Sequence, residues 1–133
     1  MSGRTAYLDT SAFLKLVKAE PESAALRQAL IPWESFASAT LLRTETSRAL
    51  GYSGQGHLLG AARQLMGAVH LVRMDEPLLD RAGDLPPVGM RSLDAVHLAA
   101  ALSLGHDLGA VFTYDARLRD AAQAQGVPTE EPR

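Results

Sequence analysis

The sequence contains no cysteine. That excludes disulfides, thiolate nucleophiles and thiolate metal sites, and it agrees with a reducing compartment, so a cytoplasmic protein is the expectation. A long apolar run is missing too: no stretch reaches the ~18 residues that a membrane helix needs, at the N-terminus or elsewhere. Nor is there an excess of positive charge. Fifteen acids stand against 13 bases for a net charge of −2, which argues against a protein that coats nucleic acid through a basic stripe. An enzyme that cuts nucleic acid is still allowed, because divalent ions can supply positive charge where the phosphate sits. Among the bases only two are lysine and eleven are arginine, the residue suited to bidentate phosphate contacts. Absent as well are G-x-S-x-G, the P-loop and H-E-x-x-H, so the commonest hydrolase, nucleotide and zinc-protease chemistries have no footing.

What remains is an ordinary globular composition, 47% apolar and 21% charged, in a chain of 133 residues. Its length suits a single domain spanning 1–133. Short β runs alternate with helical stretches. Thr5 to Leu8 reads as a strand, followed by an apolar helix through Phe13, Leu14, Leu16 and Val17. Pro21 is placed to open a second helix with the stripe Ala25, Leu26, Ala29 and Leu30. Ser35 to Ser38 reads as a strand, and Thr40 as the cap of a helix that Gly51 ends. A further helix covers about His57 to Ala68, with a strand at His70 to Val72. Asp75 is placed to cap a short helix with Pro77 in its first turn. Residues 84 to 90 read as a loop, Ser92 as the cap of an apolar helix to Leu104, and Ala110 to Thr113 as a fourth strand. Asp115 caps the last long helix, and Gly126 ends it before a short strand at Val127. Alternating strands and helices predict an α/β fold with a mostly parallel sheet.

In such a sheet, ligands bind beyond the carboxyl ends of the strands. Asp9 follows the first strand directly, and Asp75 and Asp115 come after the third and the fourth. Each alone fits a turn or a helix cap. Asp94 lies in the first turn of its helix, where the helix dipole favours an acid in any case. Glu45 differs, because it shares a helix face with Leu41, Leu42 and Ala49. A carboxylate on an inward face must pair with a cation or bind a metal, and Arg91 is the partner to weigh against a metal. Clustered carboxylates are what two-metal phosphodiester cleavage needs, since they are hard oxygen ligands that leave the ion open to water and phosphate. Arg43, Arg91 and Arg117 lie near these acids and are candidates for phosphate contacts, although each singly reads as a solvated surface residue.

Four segments then carry a resemblance. Tyr7-Leu8-Asp9-Thr10-Ser11-Ala12 resembles the opening motif of PIN domains. Glu45 falls in the expected helix after the second strand. Ser92-Leu93-Asp94-Ala95-Val96-His97-Leu98-Ala99-Ala100-Ala101 resembles the helix of the third acid, and Phe112-Thr113-Tyr114-Asp115-Ala116-Arg117-Leu118 the C-terminal pattern. The resemblance covers nearly the whole chain and is nearest to stand-alone toxins of the VapC type. It implies a PIN-like domain with strand order 3-2-1-4-5 and an endoribonuclease dependent on magnesium or manganese, held by Asp9, Glu45, Asp94 and Asp115. It implies that Ser11 and Thr113 support the acids through their hydroxyls. It also implies a VapB-type antitoxin partner, a homodimer and an RNA substrate. The same order leaves Asp75 at the far edge of the sheet, as a helix cap only. His97 is read as a packing residue rather than a metal ligand. Two alternatives stand beside this: a non-catalytic PIN-fold module that binds RNA or protein, and a phosphatase of the haloacid dehalogenase type. The latter needs a second aspartate where Ser11 stands.

Overall fold

Ala6, Tyr7 and Leu8 are consecutive and all buried, so the first strand meets apolar partners on both of its faces. That pattern belongs to a parallel sheet covered by helices on each side. The computed structural model, which describes residues 3–133, contains such a sheet. Strands β1 (Thr5–Leu8), β2 (Ser35–Ala39), β3 (His70–Val72), β4 (Leu108–Phe112) and β5 (Thr129–Glu130) are ordered β3-β2-β1-β4-β5, and every neighbouring pair is parallel. This is the order that the resemblance implies. Tyr7 of β1 aligns with Ala37 of β2 on one side and with Val111 of β4 on the other. The strand order reverses between β1 and β4, which opens a crevice beyond their carboxyl ends.

Among the described residues, seven α-helices flank the sheet: α1 (Thr10–Val17), α2 (Ser23–Leu30), α3 (Leu41–Tyr52), α4 (Leu59–Met66), α5 (Glu76–Asp84), α6 (Ser92–Leu102) and α7 (Ala116–Ala124). Strand alternation decides which face each residue serves. Tyr7, Ala37 and Val111 point to one layer, built from Leu78 and Ala82 of α5, Leu98 of α6 and Leu118 of α7. Ala6, Leu8, Ala110 and Phe112 point to the other, against Ala12 of α1, Leu26 and Leu30 of α2, and Trp33. A third cluster of Phe13, Leu42, Leu50, Ala62 and Met66 ties α1 to α3 and α4. Helix α6 is buried on every side, with eight consecutive residues from Asp94 to Ala101 out of solvent. Four of the eight are alanine, and short side chains let it sit close against the sheet and its helical neighbours.

Several boundaries differ from the sequence reading for local reasons. Gly51 lies inside α3, and the helix stops at Ser53, where Gly54 supplies a φ of +72°. Thr40 occupies the N-cap position of α3 but makes no side-chain cap bond. Arg91, not Ser92, is the N-cap of α6, and that helix ends at Leu102. The last strand forms at Thr129–Glu130, two residues beyond Val127, where it reaches register with Val111 and Phe112.

Candidate active site

All five strands are parallel, so the residues that follow β1 and β4 emerge at one end of the sheet, where α1, α3 and α7 begin. Asp9 is the N-cap of α1, and its Oδ1 accepts from the Ala12 amide at 2.9 Å and from Ser11 Oγ at 2.7 Å. Its Oδ2 accepts from Thr113 Oγ1 at 2.5 Å. Ser11 and Thr113 thus hold the carboxylate by hydroxyl hydrogen bonds. Thr113 Oγ1 in turn accepts from the Asp115 amide at 3.0 Å, which ties the end of β4 to the same point. The Asp9 carboxyl is buried, and burial raises its pKa; His97, Ser11, Thr113 and the Ala12 amide offset only part of this.

Asp115 caps α7 through Oδ1, which accepts from the Arg117 amide at 2.9 Å. Its Oδ2 faces the Arg91 guanidinium at 3.3 Å, and Arg91 Nε also donates to Asp94 Oδ2 at 3.2 Å. Arg91 therefore spans two of the four acids, Asp94 and Asp115, and is not the partner of Glu45. Glu45 has different partners. Its Oε1 accepts from Thr10 Oγ1 at 2.6 Å and lies 2.7 Å from His97 Nε2. On α3 the core stripe runs through Leu42, Thr46 and Leu50, so Glu45 sits at its edge, with 24% of its side chain exposed. Burial pushes its pKa up, but the hydrogen bonds from His97 and Thr10 win, and the net direction is down.

The structure thus links Asp9 to Asp115 through Thr113, Asp115 to Asp94 through Arg91, and Asp9 to Glu45 through the adjacent Thr10. Asp75 lies apart on the edge strand's side, where its Oδ1 accepts from the Leu78 amide at 3.0 Å as an N-cap of α5. A cleft of about 750 Å³ opens between α7 and the loop before α6, and Arg91, Asp94 and Arg117 line it with Pro87, Met90 and Ala121. Arg43 is exposed in the first turn of α3, at the same end of the sheet. The sequence reading missed one contributor. His97 does pack in the interior, but both of its ring nitrogens are engaged, Nδ1 lying 2.7 Å from the Tyr7 hydroxyl. Its position three residues after Asp94 on a buried helix was the available signal.

The donor set is carboxylate oxygen throughout, which suits a hard divalent cation. As the side chains stand, no three His, Asp or Glu residues among those described are spaced to enclose one. Arg91 supplies the positive charge between Asp94 and Asp115 in this arrangement.

Residues 6–124 match the family model described as the PIN domain. The chain belongs to the PIN-domain family. It is 45% identical over 126 residues to Ribonuclease VapC46 of Mycobacterium tuberculosis, a match covering 95% of this chain and 96% of that protein. Among solved structures, the PIN fold is shared with Mycobacterium tuberculosis VapC20, described as a Sarcin-Ricin loop cleaving toxin, at a TM-score of 0.74 and 16% identity. That match covers 96% of this chain and 99% of the other. It is shared too with a chain of Rickettsia felis VapBC2 bound to a promoter DNA fragment, at a TM-score of 0.69 and 10% identity, covering 97% and 99%. The phosphatase alternative falls away. Ser11 stands where that chemistry needs an aspartate, and its hydroxyl is committed to Asp9 and the Tyr114 amide.

Proposed function

We propose that this PIN domain, spanning the whole chain, is a cytoplasmic endoribonuclease that hydrolyses RNA phosphodiester bonds, acting as the toxin of a toxin–antitoxin pair. What supports the reading is the chain of contacts that links Asp9, Glu45, Asp94 and Asp115 beyond the carboxyl ends of β1 and β4, in a chain whose relative is named a ribonuclease. Magnesium or manganese held by these four acids would, when bound, lower the pKa of a coordinated water and screen the phosphate charge. The residues around the acids have distinct duties. Ser11, Thr113 and the Ala12 amide orient Asp9, and His97 and Thr10 orient Glu45. Arg91 balances Asp94 and Asp115 and must withdraw from that pair for the acids to accept another cation. Once released, it joins Arg117 along the cleft and Arg43 on α3 as a contact for the RNA backbone.

The partner would be a VapB-type antitoxin; one of the structural neighbours is a VapBC assembly. The working unit would be a homodimer. Exposed Leu79 and Val88 line a second cleft with Leu85 and Val96, an apolar surface of the kind that a second copy would cover.

The test is cleavage of a mixed RNA pool with manganese, with and without EDTA. Cleavage should require the metal and leave 5′-phosphate and 3′-hydroxyl ends. Glu45→Gln should fold and lose at least 100-fold in rate, about 2.7 kcal/mol of barrier. Asp75→Ala should cut normally while losing about 1 kcal/mol of stability with its helix cap. Cleavage that survives EDTA and yields 2′,3′-cyclic phosphates would overturn the reading. A folded protein that binds RNA without cutting it would identify a non-catalytic binding module.

A further inference from the structure

His97 is buried, whereas His57, His70 and His106 are exposed. Its ring lies edge-on to Tyr7, with the centroids 5.9 Å apart. The contacts of its two nitrogens determine where the proton sits. A carboxylate oxygen only accepts, so in the 2.7 Å contact with Glu45 Oε1 the proton is on Nε2. With the imidazole neutral, Nδ1 is an acceptor alone, and the Tyr7 hydroxyl 2.7 Å away is then the donor. Thr10 Oγ1 donates to the same Glu45 oxygen. Both donors converge on Oε1, and among the described residues none is directed at Oε2.

We propose that Tyr7 and His97 are positioning residues: through the Nε2–H tautomer of His97 they hold Glu45 by Oε1, so that Oε2 is the oxygen presented to a divalent metal. The inference rests on the metal-dependent reading above. The physical gain is order. A glutamate at the edge of a helix face has several rotamers open to it, and binding a metal through it costs the freedom of choosing one. Two hydrogen bonds from buried or half-buried neighbours make that choice beforehand. Outer partners that orient a ligand in this way typically change metal affinity by 10- to 100-fold when removed.

The experiment uses the whole protein labelled with 15N-histidine. A long-range 1H–15N correlation in mildly alkaline, metal-free buffer should show His97 protonated on Nε2 and bare on Nδ1. Protonation on Nδ1, or on both nitrogens, overturns the proposal. Manganese affinity, read by EPR titration, is the second measurement. Tyr7→Phe keeps the buried ring and removes one hydroxyl; it should weaken manganese binding about 10-fold and let His97 populate both tautomers. A purely structural role for the hydroxyl would lower the melting temperature and leave manganese affinity unchanged, and that result overturns the inference. His97→Gln keeps an N–H donor and should retain more affinity than His97→Leu; equal affinities would count against positioning. Should His97→Leu not fold, Tyr7→Phe decides alone. A parent protein that binds no manganese overturns both readings, whereas one that binds it no better than Tyr7→Phe overturns this one only.

Discussion

Asp9 and Glu45 are both carboxylates of the proposed site, yet the fold moves their pKa values in opposite directions. Asp9 is enclosed, and the loss of water outweighs its three hydrogen bonds. Glu45 keeps one side in solvent and gains two donors on a single oxygen. The consequence for stability follows from proton counting. With its folded pKa raised, Asp9 holds more protons in the native than in the unfolded state between the two values. Stability from this group is therefore greatest below the unfolded value near 3.8 and is lost as pH rises through the folded value. Glu45 acts the other way: its contribution is present above the unfolded value of 4.5 and disappears as pH falls through the lowered folded one. Urea unfolding of the metal-free protein between about pH 4 and pH 7 separates them. Asp9→Asn should gain on the parent as pH rises, and Glu45→Gln should lose on it. If Asp9→Asn shows no pH-dependent gain, the carboxyl of Asp9 is not under strain. The sequence makes Asp9 and Asp115 conspicuous, because Asp9 directly follows β1 and Asp115 lies three residues beyond the end of β4. It could not show the pairing of His97 with Tyr7 and Glu45, since those partners lie 90 and 52 residues away and only the fold joins them.

Elements were legible wherever the local chemistry was self-sufficient. Asp75 caps α5 as read, because an N-cap needs only an amide three residues on. Helix ends that depend on tertiary contacts were less so, and α3 runs past Gly51 to Tyr52. Close approaches between elements leave almost no local trace. Gly109 in β4 is such a case: a Cβ there would come within 2.2 Å of the Gly3 carbonyl and 2.3 Å of the Trp33 ring. Trp33 has little room to yield, since it packs edge-on to Phe112 with centroids 5.6 Å apart. Gly109→Ala should therefore cost about 1–3 kcal/mol, within the range for an overpacked core. The position is near the amino end of β4, opposite the acids, so RNA cleavage per folded molecule should be unchanged. Chemical denaturation together with an active-site titration checks this. A loss of activity out of proportion to the loss of folded protein would mean that the two ends of β4 are coupled.

At the scale of the whole molecule, the strand order came from the family pattern and not from periodicity. Alternation says that β1 is buried on both faces, but the alignment of Tyr7 with Val111 spans most of the chain and no local rule supplies it. Charge, by contrast, was readable from the start, and it bears on how RNA is held. A net charge of −2 means that the surface as a whole does not attract a polyanion. On the proposed function, affinity for RNA then rests on the few arginines at the carboxyl end of the sheet. Counterion release from single strands gives a slope of log affinity against log salt of about −0.7 per phosphate neutralised. With Arg43, Arg91 and Arg117 each meeting one phosphate, a short RNA that spans one site should show a slope of about −2. Binding would be measured in calcium, to support the site without turnover, on the parent and on Arg117→Gln. The variant should bind more weakly on every sequence tried, with a slope shallower by about 0.7. A parent slope near −5 would reveal a basic surface beyond these three residues. An unchanged slope in Arg117→Gln would show that this guanidinium stays in solvent, and that the RNA takes a path past the acids that avoids the cleft beside α7.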